Sequence, residues 1–394
     1  MDTTRHDSAE SNQMEETKKG NGWLVGTIVI VILVIACLAV FNKPTETGPI
    51  KIGVIGPFTG DASSYGIPFK NSVEMATNEI NSNGGIAGRQ LQILFEDGKC
   101  GGNAASAAQK LVSIDQVKII IGGFCSGESL SAEPVTTAHK VILFSPGSSN
   151  PKLSGISQYF DRNYPSDNLP GAKIAQLMID KNYRNVAVIS ETSDAAVGLR
   201  GIFVDSYAKL GGTLVADETF TTGTRDFRSN LAKIKKVKPD AVYVIAQTPA
   251  SDELIIRQMS EIGLKTQLFG GFELFGGVDI LKNIPDLLEG AIYMQPSLDE
   301  TATTTATFIA KYTDQYKSFG GLPSIYAATA YDAVYLMKDM IEKYGLNADK
   351  ISKGLRQVKD WHGVEGSLTI NKDGDPEFEY SVMQIHAGKA VQVK

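Results

Sequence analysis

Residues 118–150, KIIIGGFCSGESLSAEPVTTAHKVILFSPGSSN, decide the architecture. They read as a buried β-branched strand, a Gly/Ser turn, a helix, and a second apolar strand ending in another Ser-rich turn. Strand, helix and strand in so short a span form a βαβ unit with parallel strands. Ser126-Gly127 and Gly147-Ser148-Ser149 then fall at the carboxyl ends of neighbouring strands, the edge at which open α/β sheets hold ligands. A helix opening just after Cys125 aims free N–H groups and its positive dipole end at that edge. Such an end suits a carboxylate.

The same alternation runs outward in both directions. Strands are predicted at 51–56, 91–96, 118–122 and 141–144, with helices at 67–83, 104–115 and 128–139. It restarts after Asn168 with helices at 169–181, 198–210, 226–236 and 251–262. The strands among them fall at 185–189, 214–220, 241–246 and 268–270. Two α/β halves with parallel sheets follow from this order. The tail reads differently: helices at 301–319, 325–344 and 348–358, then strands 366–370 and 378–385 paired around the turn Asn371–Asp375. The division expected is 50–168 plus about 296–362 for the first lobe, and 169–295 plus about 363–394 for the second. Several crossings between lobes make a multi-strand hinge that opens and closes around a ligand.

The chain's 394 residues, 42% hydrophobic and 21% charged, suit a folded globular protein of two domains. A net charge of −6 argues against nucleic acid as a partner. Residues 1–22 are polar and read as a disordered cytoplasmic tail. Residues 23–41 are 19 consecutive residues without a charge, long enough to span a bilayer. Lys18 and Lys19 precede them, which places the tail inside and the large domain outside. An uncleaved single-pass anchor is the favoured reading. The alternative is lipoprotein processing at Val34-Ile-Ala-Cys37, with Cys37 lipidated. Residues 42–49 form a linker. Outside the reducing cytoplasm, Cys100 and Cys125 read as a disulfide rather than a reactive pair.

Several blocks together carry a resemblance: Ile52-Gly-Val-Ile-Gly-Pro-Phe-Thr-Gly60, Tyr65-Gly66, Asn81-Ser-Asn-Gly-Gly-Ile-Ala-Gly88, Ile121-Gly-Gly-Phe-Cys-Ser126, Ser145-Pro-Gly-Ser-Ser149, Gly263-Leu-Lys-Thr-Gln267, Gly366-Ser-Leu-Thr-Ile370 and Asp373-Gly-Asp375. In this order the chain resembles the branched-chain amino-acid (Leu/Ile/Val)-binding proteins of ABC transporters, from about residue 50 to its end. That resemblance implies a type I periplasmic-binding-protein fold with two Rossmann-like lobes. It also implies a small-molecule ligand, an ABC permease as partner, and no cofactor. Cys100 and Cys125 occupy the family's disulfide positions. The resemblance implies that Ser126 and Ser149 hold the ligand carboxylate and that the Gly147 carbonyl accepts from an amino group. Ser148 lies in the same turn, and Tyr65 packs on the ligand's side chain. The second half departs from the pattern. Ala195-Ala196 replace a Tyr-Gly pair, Gln247 replaces an aromatic residue, and Phe272 stands at the acidic position, with Glu273 beside it. An ammonium buried without an acid is costly, so the ligand expected is an amino acid or a related small carboxylate or amide.

Other readings compete. The same fold serves a membrane-tethered sensor. Gly123-Phe-Cys125-Ser-Gly127 also fits the nucleophile turn of a cysteine amidotransferase-like enzyme, although no carboxylate pairs with His139. Ser126 and Ser149 alone would pass as helix caps or turn formers. The four histidines have no zinc spacing, and Asp373-Gly-Asp375 is a turn rather than a calcium loop.

Overall fold

A computed structural model describes residues 48–393. The tail 1–22, the apolar stretch 23–41 with Cys37, and most of the linker lie outside these residues. Among the described residues no helix is long and apolar enough to cross a membrane.

The first lobe opens with β1 (Ile50–Gly56), α1 (Ser63–Ser82), β2 (Leu91–Asp97), α2 (Ala104–Ser113), β3 (Ile119–Gly122), α3 (Ser126–Ala138), β4 (Ile142–Ser145) and β5 (Phe160–Arg162). The strands form a parallel sheet in the order β2-β1-β3-β4-β5. The two-residue strand period sends Ile119 and Ile121 to one face and Ile120 to the other. Both faces are buried, which is why these strands read as continuous apolar runs.

α1 starts four residues before the predicted 67. Pro68 favours the later start, because a proline in the first turn forfeits no helical bond. In the structure it forfeits only the bond its N–H would have made to Ser64. Gly66 serves close approach: a Cβ there would lie 2.1 Å from the Pro57 carbonyl oxygen.

The second lobe carries α4 (Asn168–Asp180), β6 (Asn185–Glu191), α5 (Asp194–Lys209), β7 (Thr213–Phe220), α6 (Arg228–Val237), β8 (Ala241–Ile245), α7 (Pro249–Glu261), β9 (Gln267–Gly270), α8 (Val278–Asn283) and β10 (Ile292–Pro296). Its sheet runs β7-β6-β8-β9-β10 in parallel. Val242 and Val244 point to one core, Tyr243 and Ile245 to the other.

The tail then adds α9 (Thr303–Tyr316), α10 (Ile325–Tyr344) and α11 (Ala348–Leu355), followed by β11 (Trp361–Gly363), β12 (Gly366–Leu368), β13 (Tyr380–His386) and β14 (Lys389–Val393). The three helices bury Phe308, Tyr326, Val334, Met337 and Ile351 in the core of the first sheet. The predicted pairing of 366–370 with 378–385 is not what forms. β12 pairs with β11, while β13 joins the edge of the second sheet antiparallel to β10 and is followed by β14.

The turn between β12 and β13 is a crossing between lobes rather than a hairpin. Asn371 closes it by accepting from Asp373 N and Asp375 N, and Asp375 is held by a buried arginine of the first lobe. The chain therefore passes between the sheets three times: after β5, after β10 and after β12.

Candidate ligand-binding cleft

The carboxyl ends of β3 and β4 place two turns side by side. α3 starts at Ser126, and the Ser126 hydroxyl accepts from Ser149 N at 3.2 Å and Asn150 N at 3.1 Å. Those two bonds occupy its lone pairs and leave its own O–H to donate. Gly147 permits the turn to lie against Phe124, since a Cβ there would sit 2.8 Å from that ring.

The turn is fastened on its other sides. Ser148 N donates to Ser145 Oγ at 3.0 Å, and the Pro146 carbonyl accepts from Thr329 Oγ1 at 2.8 Å. Ser148 itself does not face the cleft. Its hydroxyl is fully buried, 3.0 Å from the Gly123 carbonyl and 2.8 Å from Ser129 Oγ, so its role is to tie the two turns together.

Two buried charged groups hold this arrangement from below. Cys100 and Cys125 form a disulfide with their Cα atoms 5.1 Å apart. The Glu128 carboxylate accepts from the backbone N–H of each half-cystine at 3.0 Å. Burial pushes its pKa up to about 7 against the pull of these bonds. Arg162, wholly buried, donates from Nη1 to the carbonyls of Ser148 at 2.8 Å and Asn150 at 3.2 Å, and from Nε to Asp375 at 2.7 Å. The turn at Gly147–Asn150 is thus wired to the first and third crossings.

Across from the hydroxyls lies an aromatic wall. Tyr65, from the first turn of α1, sits edge-on to Tyr326 at 5.1 Å and tilted against Phe124 at 5.7 Å. Tyr326 in turn stacks on Tyr164 at 5.4 Å. The second lobe contributes Ala195, Gln247 and Phe272. Together these residues enclose a small, tightly closed cavity with Ser126, Gly147, Ser149 and Cys125. The cleft is closed over it: Tyr65 Oη donates to the Gln247 carbonyl at 2.6 Å, and Asn150 Nδ2 to the Asp194 carbonyl at 2.5 Å.

Of the residues singled out from sequence, Tyr65, Ser126, Gly147, Ser149 and Gln247 meet at this cavity, and Ser148 lies behind it. The side chain of Glu273 is not among those described; Phe272 is the neighbour that lines the cavity. Phe124, Tyr164 and Tyr326 join the lining without a mark in the sequence. Tyr326 sits on a long helix whose periodicity gives every buried aromatic the same signal, and Tyr164 belongs to a crossing whose direction sequence does not show. Phe124, next to Cys125, is the one that its local context could have flagged.

The cysteine-nucleophile reading is corrected. Cys125 has no thiol to offer while bound to Cys100, and His139 lies at the far end of α3, beside the Val135 carbonyl.

The periplasmic binding protein family matches residues 49–390. A leucine-, isoleucine-, valine-, threonine- and alanine-binding protein of Pseudomonas aeruginosa is 27% identical over 90% of this chain and 94% of its own length. The branched-chain amino acid substrate-binding protein of Streptococcus pneumoniae, solved with isoleucine, is 26% identical with a TM-score of 0.76, covering 88% of this chain and 100% of that one. A solute-binding protein of R. palustris solved with benzoate shares the fold with a TM-score of 0.78 at 17% identity, covering 88% of this chain and 96% of that one.

Proposed function

The chain belongs to the periplasmic binding protein family, and on that premise we propose that it captures a small carboxylate in the cleft between its lobes and delivers it to an ABC permease. It is a solute-binding protein and not an enzyme, as its relatives are. In the proposed pose the carboxylate lies between Ser126 and Ser149 at the amino end of α3. Tyr65, Phe124, Tyr326 and Phe272 pack on its body, and Gln247 closes the far side. Residues 23–41 would tether the domain on the extracytoplasmic side.

The observation that carries this reading is the state of the Ser126 hydroxyl. Both its lone pairs are engaged by backbone N–H groups, so it meets a ligand only as a donor and asks for an acceptor. The helix end adds positive potential at the same point.

The body of the ligand follows from the rest of the lining. Five aromatic rings border the cavity, and no described lining side chain is acidic or basic. Among the described lining side chains a buried ammonium would find no counter-charge, at a cost of several kcal/mol. The ligand that fits is a carboxylate with a flat or branched apolar body and no ammonium group.

A thermal-shift screen of benzoates, branched-chain acids, amino acids and short amides tests this, because a ligand that binds only the folded state raises the melting temperature. Ser126→Ala should weaken the hit by about 1.5–3 kcal/mol, the worth of a hydrogen bond to a charged group, and Ser149→Ala by a similar amount. A carboxylate hit that keeps its affinity in both variants would refute the placement.

A further inference from the structure

We propose that Gln247 is a partition that sets the length of the ligand, walling the aromatic cavity off from a second, polar chamber in the same cleft. The inference rests on the carboxylate reading above and adds to it where the ligand must end. Gln247 is the residue common to both spaces. On its far side lies a chamber of about 340 Å³, with Thr59 and Lys99 from the first lobe and Glu191, Thr222 and Thr248 from the second. The disulfide completes the wall: Cys125 faces the aromatic cavity and Cys100 the chamber. The Gln247 side chain reaches across, its Nε2 3.1 Å from Cys100 Sγ.

The partition is anchored by its backbone. Gln247 N donates to Glu191 Oε2 at 2.8 Å, and its carbonyl accepts from Tyr65 Oη at 2.6 Å. Glu191 is only 1% exposed and is held from its other oxygen by Thr222 Oγ1. The Cα of Gln247 is therefore fixed from both lobes, and its side chain fills the part of the wall that the disulfide leaves open.

The spaces differ in chemistry. Among the described residues, Asp61, Glu191 and Asp194 border the chamber against the single cation Lys99, so its walls favour a cationic or hydrogen-bond-donating group. Ser193 Oγ, buried at the chamber's edge, has no partner among the described residues. A ligand in the aromatic cavity stops at Gln247. Remove the side chain, and the same carboxylate grip should take an acid whose far end carries an amine into the chamber.

The test compares benzoate with 4-(aminomethyl)benzoate by calorimetry on the wild-type protein and on Gln247→Ala, which keeps both backbone bonds. The ratio of long-acid to short-acid affinity should rise by roughly fivefold or more in the variant, on the scale at which pockets discriminate one added group. Gln247→Asn, with the wall one methylene shorter, should fall between. A smaller rise, with benzoate still bound, overturns the partition and leaves the carboxylate reading standing. If neither acid binds either protein, the carboxylate reading is overturned, and the partition falls with it.

Discussion

The two walls of the cleft are built on opposite principles. The first-lobe wall is over-determined: Ser126, Ser145, Ser148, Glu128 and Arg162 are all buried, and each bonds the backbone of the two gripping turns. The second-lobe wall presents Ala195, Gln247 and Phe272, whose side chains make one hydrogen bond to the described residues, the weak contact from Gln247 to Cys100 Sγ. A rigid wall suits the part of a ligand that many ligands share, the carboxylate. A sparsely bonded wall can change residue by residue without disturbing the fold, and on the proposed reading it is the wall that sets selectivity.

If this contrast is right, damage to the first wall should cost stability, whereas changes to the second should alter preference. The largest effect is expected from Arg162→Met, which leaves Asp375 buried without its partner. It should lower unfolding free energy by about 3–5 kcal/mol, read by urea denaturation, together with a loss of carboxylate affinity. A variant of wild-type stability would show that the gripping turn does not depend on the crossings.

A smaller effect is expected from pH. Glu128 titrates near 4.5 when unfolded and at about 7 in the fold. The folded state therefore holds its proton more tightly, and the stabilisation present at low pH is lost as pH rises through 7. Between those two pKa values each step of one pH unit removes about 1.4 kcal/mol, so stability should fall by about 2–3 kcal/mol from pH 5 to pH 8. The measurement is the difference between wild type and Glu128→Gln across that window. Parallel profiles would mean that Glu128 does not carry the dependence.

The first wall is legible in the sequence and the second is not, for physical reasons. β3, α3 and β4 alternate so regularly that the positions of Ser126 and Ser149 follow from strand ends alone. The start of α5 is expected near Gly198 and lies at Asp194, because Gly198 is small for packing rather than for a helix boundary. A Cβ there would come within 2.8 Å of Pro151 in the other lobe. Close approach between lobes leaves no periodic signal. The short strands β5 and β10 leave no signal for a related reason: Phe160–Arg162 and Ile292–Pro296 are set by the neighbours they pair with. The aromatic wall assembles from α1, a crossing and α10, segments more than 250 residues apart at their extremes, Tyr65 and Tyr326. Nothing local could join them.

On the proposed reading the first wall holds a carboxylate, and the described residues of the second offer an ammonium no acidic partner. Paired calorimetric titrations of the protein with benzoate and with isoleucine test it most directly. Saturable binding of benzoate is expected, with affinity for isoleucine weaker by about tenfold or more, the cost of an uncompensated buried charge being larger still. Isoleucine binding more tightly than benzoate, with that preference abolished by Glu273→Gln, would contradict it.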